Sequence, residues 1–330
     1  MTRAAWMMLA AALPLAAQPR LPVNARLDTR SAAQGLDREF QALVAATPQP
    51  AWIAYSVPST RTVALGCEFV SRDGAWWSNG TVHLEPPANS LILFRVVAGA
   101  VERIRALSPD CEIDAGDAPF HWLADVAPAQ SVALLAGFAT RESPIASAVG
   151  AIAVHADPAA DGVLDRFAAA GQPDSLRQRA IAQLGSARGR HGFEVLKSLI
   201  GGDPDTRIRT RAAAALGNSQ EPEAFDLLIS VSQSAADSKL RAQAVRELGR
   251  KRGAKAVAAI GAALDKDTDP GVQRAACAAL QSLPDGEGVP RLIQFARATG
   301  DRELRRQAMT WLQNSHDARA LAFFESVLRN

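Results

Sequence analysis

Net charge is nearly missing from this sequence. Thirty-six lysines and arginines stand against 34 acidic residues, leaving +2, so the chain as a whole lacks the electrostatic footprint of a dedicated nucleic-acid binder. Beyond the first 17 residues no apolar stretch reaches the roughly 18 uninterrupted residues that a membrane helix needs, so no transmembrane segment is expected in a mature chain. The five histidines, His83, His121, His155, His191 and His316, never fall within four residues of one another. There is no H-E-x-x-H, C-x-x-C, G-x-S-x-G, Walker loop or G-x-G-x-x-G, so metalloprotease, hydrolase, NTPase and dinucleotide readings each lack their minimum parts. No cofactor, metal or catalytic residue is expected. Disorder is excluded as well, because 48% of residues are apolar and 21% charged over 330 positions, enough for a substantial core in two domains or one long array.

The first residues read Met-Thr-Arg and then an apolar run from Ala4 to Ala17. A run of that length behind one positive charge is the pattern of a secretory signal peptide. Cleavage near Ala17, before Gln18-Pro19-Arg20, is expected, with a periplasmic or secreted product; cytosolic residence is the alternative. Only three cysteines occur. Cys67 and Cys111 lie 44 positions apart in the same N-terminal region, where an oxidising compartment would let them pair; two separately buried thiols are the other reading. Cys277 falls at an interior repeat position and reads as a small core residue.

A fixed period governs the rest of the chain. Leu176-Arg177-Gln178-Arg179-Ala180-Ile181-Ala182-Gln183-Leu184-Gly185 recurs 32 residues later from Ile208 to Gly217, and again from Leu240 to Gly249. Looser copies run Val272 to Gln281 and Leu304 to Gln313, and a degenerate one Pro144 to Ala153, so about six copies fill residues 141 to 330. One column is always alanine: 148, 180, 212, 244, 276 and 308. That invariance implies a helix pressed too close to its neighbour for a larger side chain. Four residues on, Ile152, Leu184, Leu216, Leu248, Leu280 and Leu312 continue the stripe of a core-facing helix A. Asp205, Asp237, Asp269 and Asp301 stand where an N-cap is needed, and Gly185, Gly217 and Gly249 are expected to end helix A in the left-handed conformation. Arg209, Arg241 and Arg305 follow the aspartates by four residues and read as structural punctuation, with a ligand-binding arginine ladder as the alternative. A second helix B carries Leu164, Leu196, Leu228, Ile260, Leu292 and Phe324. Hairpins of this kind bury both faces only by stacking.

These columns resemble bacterial HEAT repeats of the short type also found in the phycobilisome lyase-like family, written loosely V-R-x-x-A-A-x-A-L-G. The resemblance covers about 190 residues and implies an α-solenoid, a right-handed superhelix of paired helices, serving as a scaffold. Lyase activity has no support in the residues.

The expected organisation is a signal peptide (1–17), a small antiparallel α+β domain (18–130) and the solenoid (131–330). In the α+β domain a helix is expected over residues 31–46. Strands are expected over 62–70, 75–77, 81–84, 90–97 and 101–107, with a short one near Cys111. Four of the six tryptophans, Trp52, Trp76, Trp77 and Trp122, concentrate here; they read as interface anchors or as core of a thin sheet, Trp76 and Trp77 being the interface candidates. His121 and Asp125, spaced i, i+4, suggest a short helix with a structural pair. One basic cluster, Arg246, Arg250, Lys251, Arg252 and Lys255, surrounds a loop of the third full repeat and is the candidate for an anion or simply a solvated loop. Trp311 and Phe323 make the last repeat bulkier than the others and mark a candidate docking end, for a partner or a second copy.

The functional reading is a non-enzymatic exported scaffold that binds a protein partner along the concave helix-B surface. The alternative is an enzyme or small-ligand-binding protein with its site in the α+β domain.

Overall fold

The structure is a computed structural model that describes residues 22–47, 49–60, 67, 69–72, 75–78, 88–141, 145–251 and 253–329. The expected leader, residues 62–66 and 68 of the expected strand 62–70, and the expected strand 81–84 lie outside the described residues, as do Arg252 and the side chains of Trp76 and Trp77.

The N-terminal part is built on a five-stranded sheet in the order β1-β7-β2-β5-β6: β1 Arg26–Ser31, β2 Ala51–Pro58, β5 Asn89–Val97, β6 Ala100–Leu107 and β7 Pro119–Ala124. A separate hairpin, β3 Phe69–Arg72 with β4 Ala75–Ser78, lies between β2 and β5 in the chain. β2 and β5 are buried along most of their length, which is why Ser90 to Val97 reads as a nearly continuous apolar run. The sheet is mixed rather than purely antiparallel: β7 pairs parallel with both β1 and β2, while β2, β5 and β6 pair antiparallel. Helix α1 Leu36–Ala46 is the cause. It carries the chain from β1 back to the end where β1 began, so β2 runs parallel to β1 and leaves room for β7 between them.

Three elements were silent in the sequence. β1 is an edge strand exposed along its length, with no alternation to betray it. β2 follows Pro48 and Pro50, whose breaker signal masked it. β7 is a strand where a short helix was expected, so His121 and Asp125 do not share a helical face. His121 Nδ1 instead meets Asp28 at 3.2 Å across the β1–β7 register, and Asp125 accepts from the Ser31 hydroxyl at 2.7 Å.

One sheet face is sealed by α1 and by α2 Pro128–Thr140. Leu36, Phe40 and Leu43 of α1 point inward, and Phe40 meets Phe94 and Phe138 edge-on with centroids 4.7 and 5.9 Å apart. This core runs without a break from Ala32 through the solenoid to Phe323. The opposite face holds a smaller cluster around Ala54, Leu91, Leu93 and Phe120, flanked by the half-buried Trp52 and Trp122. Cys67 and Cys111 are joined in a disulfide with Cα atoms 5.3 Å apart. Cys277 is buried, and burial pushes its thiol up to about 12.

Six helix pairs follow: α3 Ser147–Ala153 with α4 Ala159–Ala168, α5 Asp174–Ala187 with α6 Gly189–Gly202, α7 Thr206–Leu216 with α8 Pro222–Ser234. Then come α9 Ser238–Leu248 with α10 Ala254–Lys266, α11 Pro270–Ser282 with α12 Val289–Ala298, and α13 Arg302–Asn314 with α14 Ala318–Leu328. From α5 onward every helix A begins 32 residues after the last. All six alanines of the invariant column are 0% exposed. Asp205, Asp237, Asp269 and Asp301 each accept from backbone amides of the first helical turn.

The glycines correct the expectation. Gly185 lies inside α5, and Gly217 and Gly249 are right-handed, with φ −58° and −65°. None supplies a left-handed cap. Each is where the next helix A crosses: a Cβ on Gly185 would sit 2.3 Å from the Ala215 carbonyl oxygen, one on Gly217 2.1 Å from Glu247 Oε2, and one on Gly249 2.8 Å from Ala279 Cα. At Gly185 and Gly249 the backbone of the next helix leaves no room for a methyl group, and at Gly217 the Glu247 side chain occupies that space.

Candidate interaction surfaces

These close approaches make the two layers of the solenoid unequal. Consecutive helices A touch along their lengths, whereas consecutive helices B touch sparsely and leave grooves between them. A stack whose one layer is drawn tighter bends toward that layer, so the narrow side is lined by helices A. The concave helix-B surface expected from the sequence is therefore corrected: alanine and glycine columns lie on helix A, and they set which layer closes up.

On the wide side, the groove between α10 and α12 holds about 720 Å³. Its floor is Val257, Ala258, Gly261 and Ala262, and its rim carries Asp265, Lys266, Glu287 and Arg291, the last ion-paired with Asp265. A second cavity of about 390 Å³ opens beside it over Arg241 and Asp267. Arg241 grips both oxygens of Asp267, at 2.7 and 3.0 Å, and the Ala235 carbonyl. The guanidinium beside Asp267 holds its carboxyl below the ordinary value. In the equivalent position Arg177 donates to Asp203 at 2.6 Å and to the Ala168 carbonyl at 2.9 Å, while Arg209 and Arg305 reach Thr206 and the Thr299 carbonyl. Arg177, Arg241 and Arg305 tie inter-repeat loops together, whereas Arg209 stays within its own helix. The partners are loop acids and carbonyls or, for Arg209, the Thr206 hydroxyl, not the cap aspartates four residues before them.

The basic cluster is mostly engaged within the chain. Arg250 donates to Glu247 and Asn218, Lys251 to the Gly217 carbonyl at 2.8 Å, and Lys255 to Asp226 while lying over the Phe225 ring. Burial lowers the Lys251 ammonium below its ordinary pKa. Arg246 reaches only the Gln243 amide oxygen. Arg246 lies on α9, Arg250 in the turn after it and Lys255 on α10, so the structure does not bring these described members of the cluster to one point.

At the end of the array Trp311 is half-buried, and its indole N–H makes no hydrogen bond. Phe323 is only 5% exposed, packed against Phe324 and under Arg297, which removes it as a docking residue. Its neighbours Leu321, Val327 and Leu328 are 62%, 48% and 86% exposed.

In the N-terminal part, a cleft of about 480 Å³ is lined by Trp52, Arg26, Arg95 and Asp114. The guanidinium groups of Arg95 and Arg105 lie 5.2 and 5.3 Å from the Trp52 ring centroid, a cation–π arrangement.

A buried polar chain escaped sequence reasoning entirely. Tyr55 on β2 bonds Ser131 on α2 at 2.7 Å, and Ser131 bonds His155 Nε2, just past α3, at 2.8 Å. His155 Nδ1 lies 2.8 Å from the Ala151 carbonyl. A carbonyl only accepts, so Nδ1 carries the proton, Ser131 donates to Nε2, and Tyr55 donates to Ser131. Desolvation lowers the imidazole to about 4, against help from the Ala151 carbonyl, and desolvation raises the Tyr55 phenol. Serine and imidazole stand as a nucleophile and base would. All three side chains are 0% exposed, so no substrate reaches them and the chain acts as a strut between sheet and solenoid. Only tertiary contact joins residues 24 and 76 positions apart. Among the described residues no group of three His, Cys, Asp or Glu side chains is arranged to hold a metal, and no helix is long and apolar enough to cross a membrane.

Residues 161–238 and 227–313 match the family described as HEAT repeats. No curated protein matches the chain. Similar solved structures include the complex of CpcE and CpcF of phycocyanin lyase from Nostoc sp. PCC7120, at 19% identity over 47% of this chain and 99% of that one, TM-score 0.36. Human deoxyhypusine hydroxylase in complex with glycerol is similar at 17% identity over 61% and 74%, TM-score 0.32. Lipovitellin is similar at 10% identity over 80% and 36%, TM-score 0.44.

Proposed function

Taking residues 161–313 as what they are, HEAT repeats, we propose that this protein is an exported interaction module that acts by holding a protein partner along its solenoid rather than by chemistry of its own. The observation that carries the reading is the single core running from the sheet to the last helix pair. It makes the repeats one continuous support for an extended face, with grooves and a charged layer open to a partner. The apolar run before Gln18 and the disulfide between Cys67 and Cys111 support residence outside the cytoplasm.

The test is fractionation of cells expressing the full chain, followed by cross-linking and isolation from the envelope. The expected result is a mature chain beginning near Gln18 with a stoichiometric protein partner. A cytosolic, unprocessed chain removes the export reading, and recovery without any cross-linked protein removes the scaffold reading.

The Trp52 cleft favours a second reading, a small-ligand site in the sheet domain. Arg95 stacks on Trp52 and makes no ion pair or hydrogen bond among the described residues, which suits a small planar anion. Stabilisation of the wild type by such a ligand in a thermal-shift panel, lost in Arg95→Ala, supports it; no stabilisation by any member counts against it.

A further inference from the structure

The near-neutral chain conceals an uneven division of charge between its two helical layers. The five helices A from α5 to α13 carry twelve lysines and arginines against three acidic residues. The five helices B from α6 to α14 carry seven against five. The excess is on the narrow side of the stack.

Its outward column consists of positions 178, 182 and 186 and their equivalents at steps of 32. No acidic residue occurs at any of them: Arg246, Arg250, Arg274 and Arg306 are the charged members, and the others are Ala, Ser, Thr, Asn or Gln. Every member except Ala242 is exposed or half-buried. Arg274 makes no hydrogen bond or ion pair among the described residues, and Arg246 reaches only a neutral amide. The cap aspartates keep their charge at the start of each helix A, where they accept from backbone amides, and Glu303 on α13 feels the charge of Arg274 without a direct contact. At one end the column meets the half-buried Met309 and Trp311 and the unbonded indole N–H.

We propose that the helix-A face of the solenoid, from α9 to α13, docks an acidic segment of a partner protein, with carboxylates over Arg246 and Arg274 and an apolar residue against Trp311. This rests on the scaffold reading and adds to it the face and the chemistry of the partner. Helices packed side by side are about 8–10 Å apart, so guanidinium groups on successive helices A match carboxylates spaced along a peptide. Small neutral side chains fill the spaces between, where a phosphate backbone at one charge per few ångströms would need further cations. Unpaired arginines and a tryptophan are also the residues that anchor protein interfaces.

The experiment uses the full mature chain and a fluorescein-labelled decaglutamate peptide, read by anisotropy at low and high salt. Arg246→Glu with Arg274→Glu is expected to weaken binding about tenfold or more. The wild-type affinity should fall as salt screens the contact. Lys197→Glu with Lys266→Glu makes the same charge change on helices B and is expected to leave binding within about twofold; far-ultraviolet circular dichroism confirms that both variants fold. Should either pair fail to fold, Arg246→Gln with Arg274→Gln and Lys197→Gln with Lys266→Gln replace them. Equal loss in both pairs, or no loss in the first, overturns the assignment, as does tighter binding of single-stranded DNA of the same charge. A partner cross-linked in the envelope that survives the helix-A reversal overturns this face while leaving the scaffold reading intact, whereas absence of any partner overturns the scaffold itself.

Discussion

Replacing Gly185 by alanine tests why glycine recurs at the end of helix A. A helical alanine is intrinsically better than glycine by about 1 kcal/mol, so a glycine serving no steric purpose should yield a more stable protein. At Gly185 the added methyl would lie 2.3 Å from the Ala215 carbonyl oxygen and 2.7 Å from its carbon. Both are backbone atoms of α7, and that carbonyl already accepts from Asn218 N–H. A normal contact needs the two helices to part by about 1 Å, and forced overpacking costs about 1–3 kcal/mol. The clash lies between repeats, so parting also loosens the alanine contacts along the seam. The net expectation is destabilisation of about 2 kcal/mol.

Two companions set the scale. At Gly217 the obstruction is the Glu247 carboxylate, a side chain that can swing aside at the loss of its bonds to Gln243 and Arg250, so Gly217→Ala should be near neutral, within about 1 kcal/mol. At Gly201 nothing lies within 4 Å, and alanine should stabilise by up to about 1 kcal/mol. Urea denaturation followed by circular dichroism gives the order. Hydrogen exchange in α5 and α7 shows whether the loss is at their seam, since a stacked array opens locally. If Gly185→Ala equals or exceeds the wild type in stability, the close-approach argument is wrong.

His155 has a folded pKa near 4, below its ordinary 6.5. Between those values the unfolded chain binds the proton and the folded one does not, so this group's part of the stability is present above pH 6.5 and declines as pH falls to 4. The decline amounts to about 3 kcal/mol if fully expressed; urea midpoints across this range should fall less in His155→Gln than in the wild type, and equal slopes would refute it. Arg177→Ala strands the Asp203 carboxylate, whose side chain is 5% exposed, and should cost about 3 kcal/mol, whereas loss of under 1 kcal/mol would mean water already reaches the pair. Reduction of the Cys67–Cys111 bridge, 44 residues apart, should shift the mass by two hydrogens and remove about 4 kcal/mol in the chain-entropy treatment; free thiols before reduction would contradict the bridge.

The solenoid was legible because its physics repeats. An invariant alanine and a leucine four residues later every 32 positions specify a helix, its buried face and a close neighbour, and the capping aspartates mark each start. The sheet domain was only partly legible. β5 and β6 declare themselves through apolar runs around the Ala98-Gly99 turn, whose residues have φ 49° and 72°. β1 has no buried face to pattern its side chains.

The surfaces belong to the second kind. Sequence offered Arg246 and Arg250 as one basic cluster and Trp311 with Phe323 as a docking end, whereas the fold packs Phe323 of α14 against Phe324 and under Arg297. The sequence by itself determined the helix pairs, their period and their caps, because these depend on contacts within a repeat or with an identical neighbour. Only the tertiary structure decided which layer closes up, what each glycine accommodates, and that Tyr55, Ser131 and His155 meet. Those outcomes depend on distances between residues far apart in the chain, which no local pattern encodes.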